Sequence, residues 1–455
     1  MSSLRLAACG VLVVAALSAL SAQMPPPPAS TPILFEGGRL IVDARRPPIE
    51  HAAFLVERGR IVAVGRAGDV KGPAGAARVD LTGKTIVPSL VDAHVHLGYQ
   101  VGLTFAAENF TRETLVNQLN RYAYSGIAAV LSLGTEPGDL PARIRAEQAA
   151  GRLGGALFLT AGRGIAAPNA GPGTPELKAA AYGVVTEDDA RRAVREQVAH
   201  KVDFVKIWVD DRNGTVQKLS PPLYRAVIDE AHKLNTRVVA HIFYLDDAKD
   251  LARAGVDAFA HLVRDKEIDD ELVTLITQRN VAVMPNIAIS ENAIHAAPPA
   301  WLDAPLLHEI APAAAIDRVR SSYARRPPEA VARARTTYTV MERSLAKLNA
   351  AGVTIVLGTD DGAVRDHFYA FTAHRELQLL AHAGMAPARI LDVATRATAG
   401  FLRLPDLGTL EAGKRADFIV LSANPLDDIA NTQTIEAVYT RGEALDRPAL
   451  RAAWK

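Results

Sequence analysis

A chain of 455 residues, 49% of them hydrophobic, is long enough to bury one large core with a smaller one beside it, which excludes a disordered segment. Its 51 basic and 50 acidic side chains nearly cancel, and no basic stripe tracks a phosphate backbone or a membrane surface. Nucleic acid is therefore not an expected partner.

The chain opens with Arg5 ahead of an apolar run that ends in small residues near Ala22, the layout of a secretory signal peptide over residues 1–22. A retained membrane anchor is the rival reading, but the run is short for a spanning helix. Residues 23–32 read as a stiff linker around Pro25–Pro28. The mature protein is accordingly expected to be periplasmic or secreted, with no stable anchor. The only cysteine is Cys9, so removal of the leader leaves neither disulfides nor thiolate ligands. Any metal must then be held by nitrogen and oxygen.

Residues 33–87 carry short aliphatic runs such as AAFLVERGRIVAVG with glycine at the turns, which predicts strands and hairpins. Residues 88–404 change to apolar strands alternating with longer amphipathic helices, the rhythm of βα units around a parallel sheet. The predicted strands are IVPSLVDAHVH, GIAAVLSLG, ALFLTAG, VDFVKIWV, RVVAHI, DAFAHL, VAVMPN and VTIVLGTD. Eight of them suggest a (β/α)8 barrel. Thr186 is placed to cap a helix whose third position is Asp189. Residues 286–350 are too long for a plain connection and form either a lid or extra helices on the barrel wall. Residues 405–455 return to β character and are expected to pair with residues 33–87 in a small composite β-sandwich.

His94 and His96 stand two apart at the end of an apolar strand, so both imidazoles project from one face. Lys206, His241, His261 and Asp360 likewise interrupt apolar runs at strand ends. Barrel active sites gather at the carboxyl ends of strands, where side chains distant in sequence converge. An unpaired polar group buried alone costs on the order of 2 to 7 kcal/mol, and shared ligation of a cation removes that cost.

Together VDAHVHLG, His241, His261, GTDDG and GTLEAGKRADFIVL make the chain resemble the amidohydrolase superfamily over residues 33–445, particularly the group related to imidazolonepropionase and the prolidase-like dipeptidases. The resemblance implies an α/β (β/α)8 barrel flanked by a composite β domain. It implies that His94, His96 and Asp360 hold one divalent ion and His241 and His261 a second, with zinc the default choice for such ligands. Lys206 would bridge the two after carboxylation by CO2; the plainer alternative pairs its ammonium with Asp210 or Asp211. Asp360 would then shuttle the proton from the attacking water to the departing amine. Tyr244 either donates to the developing oxyanion or simply packs. Arg163 and Asn169 are candidates to reach substrate, in a loop where relatives carry a histidine that this chain lacks, and His367 is a candidate to line the pocket. His200, His232, His374 and His382 fall in helical patterns and read as solvated or packed. The function implied is hydrolysis of an amide in a dipeptide or N-acyl amino acid. The same site could serve a cyclic amide, a lactone or a phosphoester, and a non-catalytic metal-binding scaffold is the reading from a different class. A homo-oligomer is compatible with all of these.

Overall fold

The computed structural model describes residues 31–454, so the leader at residues 1–22 and most of the linker lie outside the described residues. Near the start of the described chain, strands Ile33–Glu36, Ala52–Glu57, Arg60–Arg66 and Ala77–Asp80 form one four-stranded sheet. A second sheet draws on both ends of the chain: Arg39–Leu40 and Thr85–Pro88 pair with Phe418–Leu421, Ile435–Thr440 and Glu443–Ala444. The faces of these sheets meet on aromatic side chains. Phe35 stacks on Phe54 at 4.8 Å and meets Phe418 edge-on at 5.1 Å, while Phe418 stacks on Tyr439 at 4.5 Å. Such pairs add about 0.5–1.5 kcal/mol each to the gain from burial alone, so they set the register of the two ends as well as covering them.

The predicted first strand IVPSLVDAHVH is divided at Ser89. Its first half pairs antiparallel with Phe418–Leu421, and its second half, Leu90–Val95, joins Ile127–Ser132 and Leu157–Thr160 in a parallel group of three. A six-stranded group holds Tyr182–Gly183, Ile165–Ala166, Phe204–Val209, Arg237–Ile242, Ala258–Ala260 and Ala282–Met284, all parallel. Helices follow these strands, among them Glu187–Ala199, Pro221–Lys233, Leu245–Ala254 and Asp270–Arg279, giving a mixed α/β, barrel-like domain. Thr186 and Asp189 form the reciprocal capping box that the sequence pattern predicts.

The predicted eighth strand, VTIVLGTD, is not a regular strand. Val283 N–H donates to Thr354 O at 2.9 Å and Ala93 N–H to Leu357 O at 2.8 Å, so the segment lies between the two parallel groups. Its ladder breaks because the His94 carbonyl accepts from both Thr359 and Asp360, at 3.1 and 2.7 Å, and Asp360 turns to φ +63°. The backbone that carries the most important carboxylate is thus bent where a straight strand would run on.

Residues 286–350 contain helices Ala288–Ile294, Pro305–Ile310, Ala313–Ser322 and Pro328–Ala350. Leu306, Leu307, Ile316, Tyr338, Met341 and Leu345 bury their side chains in the main hydrophobic core, so these helices pack onto the body of the domain. Among the described residues no helix is long and apolar enough to cross a membrane.

Candidate metal centre

All six residues expected to hold metal line one cavity of about 300 Å³. His94 and His96 project into it from the end of strand Leu90–Val95, their rings 5.2 Å apart. Each is oriented through its other nitrogen. His94 Nδ1 lies 3.1 Å from Asn286 Oδ1, and His96 Nδ1 lies 2.9 Å from Thr135 Oγ1. Because the Thr135 hydroxyl donates to Glu136 Oε1 at 3.1 Å, it accepts from His96, which fixes the tautomer whose Nε2 lone pair faces the cavity. Both Nε2 atoms sit beside Asp360 Oδ1, at 3.1 and 3.0 Å.

His261 Nε2 is 3.8 Å from the other Asp360 oxygen, and the ligand atoms of His94, His261 and Asp360 all lie within 4.8 Å of one another. His241 stacks edge-on against His261 with ring centres 4.5 Å apart, but its Nε2 faces Asp210 Oδ2 at 3.1 Å and Arg264 Nη2 at 3.3 Å. It therefore stands next to the three-residue group without belonging to it. His261, Asn286 and Asp360 all have positive φ (+76°, +48° and +63°), a local strain that such sites hold against the surrounding packing.

Lys206 points inward from strand Phe204–Val209, and its Nζ is buried without a hydrogen-bond partner. The alternative in which it pairs with Asp210 or Asp211 is not formed. Asp210 accepts from Arg212 N–H, and Asp211 accepts from the Tyr244 hydroxyl at 2.7 Å. Gly134 makes room for the lysine stem: at φ +97°, a Cβ there would come within 2.7 Å of Lys206 Cγ.

The electrostatics favour a cation. Burial, reinforced by the Lys206 charge, pushes His94 down to about 4, and burial holds His241 and His261 well below the ordinary imidazole range. All three are neutral lone-pair donors at pH 7. Burial also brings the Lys206 amine down to about 7. Burial alone would raise the Asp360 carboxyl, but the adjoining His94 and His261 rings outweigh it and hold it well below the usual carboxylate range. His94 Nε2, His261 Nδ1 and Lys206 Nζ are buried without partners, so neutral imidazoles, a carboxylate and a readily deprotonated amine converge with unused donor capacity. These residues fit a divalent metal.

The remaining candidates fall outside the lining of this cavity, although His367 bonds the Asp360 backbone. Arg163 donates to Ala180 O at 3.0 Å and Ala181 O at 3.1 Å and stacks over Tyr182, while Asn169 is exposed at φ +62°. Neither lines this cavity. The Tyr244 hydroxyl is taken up by Asp211, and the Lys218 ammonium covers its ring at 4.3 Å. His367 lines a neighbouring cavity of about 350 Å³ with Arg121 and Tyr369. Sequence reasoning missed Thr135, Glu136, Arg212, Arg264 and Asn286. Their signal is positional, since each ends or closely follows a predicted strand, but polar residues at strand ends are too common to single out.

The model of the amidohydrolase family matches residues 85–445, most of the chain. The chain belongs to the amidohydrolase family. This amidohydrolase is therefore a metal-dependent hydrolase acting on carbon–nitrogen bonds, and the His/Asp cluster is its candidate metal site. It is 28% identical to an uncharacterized protein of Mycobacterium tuberculosis over 305 residues, 65% of this chain and 69% of that one. It is 24% identical to ochratoxinase of Aspergillus niger over 456 residues, 90% of this chain and 85% of the relative. A putative prolidase from Bifidobacterium longum shares its fold with a TM-score of 0.74, 24% identity, and coverage of 94% of this chain and all of the other.

Proposed function

We propose that this amidohydrolase is an exported, binuclear hydrolase that cleaves the amide bond of a dipeptide or an N-acyl amino acid. The observation that carries the reading is Lys206: a buried amine without a partner, projecting into the same cavity as four imidazoles and Asp360. In this reading Nζ loses a proton and forms a C–N bond to CO2, giving a carbamate with two oxygen donors. His94, His96 and Asp360 would hold one ion, and His241 and His261 the other, with Lys206 between them. When bound, such ions supply Lewis acidity and a water of lowered pKa. Asp360 takes the proton of the attacking water on a carboxylate oxygen and returns it to the amine nitrogen as the C–N bond breaks. The buried Asn286 and the Thr135–Glu136 pair keep the imidazoles in the ligating tautomer throughout.

The substrate class is supported by the family and by relatives that include a putative prolidase. Zinc is the favoured ion, given nitrogen and oxygen donors alone. We also propose that the parallel groups and residues 353–361 constitute a (β/α)8 barrel over residues 88–404, with residues 33–87 and 405–455 as its composite β domain. Residues 1–22 are proposed to be removed on export to the periplasm or beyond. The test is metal analysis of purified protein together with a panel of dipeptides, N-acyl amino acids, lactones and aryl phosphoesters. About two equivalents of metal and turnover confined to the amides are expected. Turnover of only the lactones or phosphoesters would overturn the substrate reading, and one equivalent of metal the binuclear one.

A further inference from the structure

Two guanidinium groups face the same cavity as the metal-binding candidates, and neither is used by the chemistry above. Arg264 follows His261 by three residues, and Arg212 follows Lys206 by six, so both stand on loops just past strands that carry candidate ligands. Arg264 Nη2 donates to Ile242 O at 3.0 Å and meets the neutral His241 ring at 3.3 Å; its Nε is buried with no partner. The Phe243 ring, 4.8 Å from the guanidinium carbon, fixes its plane. Arg212 is anchored by the Gly171 carbonyl and lies 3.8 Å from Asp210 Oδ2.

The pairing is incomplete. Asp210 lies 3.8 Å from Arg212 and also meets His241, while Asp210 and Asp360 act on Arg264 only through space. Among the described residues no carboxylate pairs with Arg264. A half-buried guanidinium whose Nε is buried with no partner is costly unless an anion arrives to meet it. Beside the guanidiniums the cavity wall is apolar, formed by Trp208, Leu177, Ile289 and Val364. We propose that Arg264 and Arg212 form a carboxylate-binding subsite beside the metal centre, so that the substrate presents a free carboxylate to them and an apolar body to Trp208. The planar fork of a guanidinium matches a carboxylate with two parallel hydrogen bonds. This rests on the amide-hydrolase reading and narrows it: peptide amides, ureas and other uncharged amides are poor ligands.

The probes are N-acetyl-L-leucine and N-acetyl-L-leucinamide, which differ at the carboxylate. Their binding to the full chain is measured by calorimetry, with added zinc and after chelation, because a bound cation also attracts carboxylates. The wild type is expected to bind the acid at least about tenfold more tightly than the amide in both states. Arg264→Gln is expected to bring the two chelated-state affinities within about threefold, and Arg212→Gln to shrink the ratio part-way. Circular dichroism checks that each variant folds, and Arg212→Gln serves if Arg264→Gln does not fold. Equal affinities in the wild type, or an undiminished ratio in a folded variant, overturn the subsite. If the zinc-loaded wild type binds the acid preferentially yet hydrolyses no N-acyl amino acid or dipeptide, the hydrolase reading falls while the subsite stands.

Discussion

Replacing Lys206 with methionine should strengthen the metal-free protein and disable the enzyme. The two side chains have similar length and volume, so packing against Trp208 and Gly134 is kept while the titrating amine is lost. Burial brings the amine from 10.5 to about 7, which penalises the charged form by roughly 5 kcal/mol at 1.36 kcal/mol per pH unit. Relaxation and water entry reduce what is realised to about 1–4 kcal/mol. The sign follows from proton binding. Between pH 7 and 10.5 the unfolded chain holds more protons at this position than the folded one, so wild-type stability rises with pH across that window. Below pH 7 the whole penalty is present. Lys206→Met has none, so its advantage is greatest near pH 6.5 and shrinks toward pH 10. The assay is urea denaturation of both proteins after chelation, in degassed buffer to prevent carboxylation, at pH 6.5 and 9.5. The advantage should fall by about 3 kcal/mol or less between those two pH values while keeping its sign. On reconstitution the variant should retain no more than one equivalent of zinc and lose amide turnover. A variant less stable than wild type at pH 6.5, or one that keeps two zinc ions, would refute the reasoning.

Gly134→Ala should destabilise by about 2–4 kcal/mol in urea melts, because a side chain at φ +97° is strained and its Cβ overlaps the Lys206 stem; an unchanged midpoint would mean that the loop is not fixed as described. Thr135→Val removes the hydroxyl that accepts from His96 Nδ1 and should weaken zinc affinity by about 10–100-fold in competition with a chromogenic chelator, with little change in fold. Glu376 accepts from the Ile287 and Ala288 N–H groups at 3.0 and 2.7 Å, and burial pushes its carboxyl up to about 8. Its folded-state value lies above the unfolded one, so its contribution is complete below about pH 4.5 and is lost as pH rises through 8. Glu376→Gln should flatten the stability profile between pH 5 and 8 by about 2–5 kcal/mol relative to wild type, and parallel profiles would contradict this origin.

What could be read from the sequence was what repeats or interrupts a pattern. The alternation of apolar runs with amphipathic stretches marks the βα rhythm, and a histidine or lysine breaking a fully apolar strand is conspicuous, which is why His94, His96, Lys206, His241, His261 and Asp360 stood out and why all six line one cavity. The division of IVPSLVDAHVH at Ser89 was not legible, since both halves are equally apolar and only the partner strands differ. Nor was the broken ladder at VTIVLGTD, which depends on one carbonyl accepting twice. Arg163 and Tyr244 illustrate a different limit. Loop position put them near the site, but their donors are already committed to Ala180 O and Asp211, and such commitments are tertiary.

The arrangement is best understood as a set of basic groups prevented from carrying charge. In water, imidazoles near pH 6.5 and an amine above 10 would each take a proton readily, and packing them together would then be prohibitive. Burial removes those protons from His94, His241 and His261 at neutral pH and brings Lys206 to the edge of losing its own. What is left is a concentration of lone pairs around an ionised Asp360. Burial lowers the Arg264 guanidinium as well, to about 10, which still leaves it charged at neutral pH. Arg264 and Arg212 thus stand beside a centre whose His94, His241 and His261 rings carry no charge. One desolvating cavity thus yields two kinds of site: lone pairs that call for a metal cation, and beside them fixed positive charge that calls for an anion.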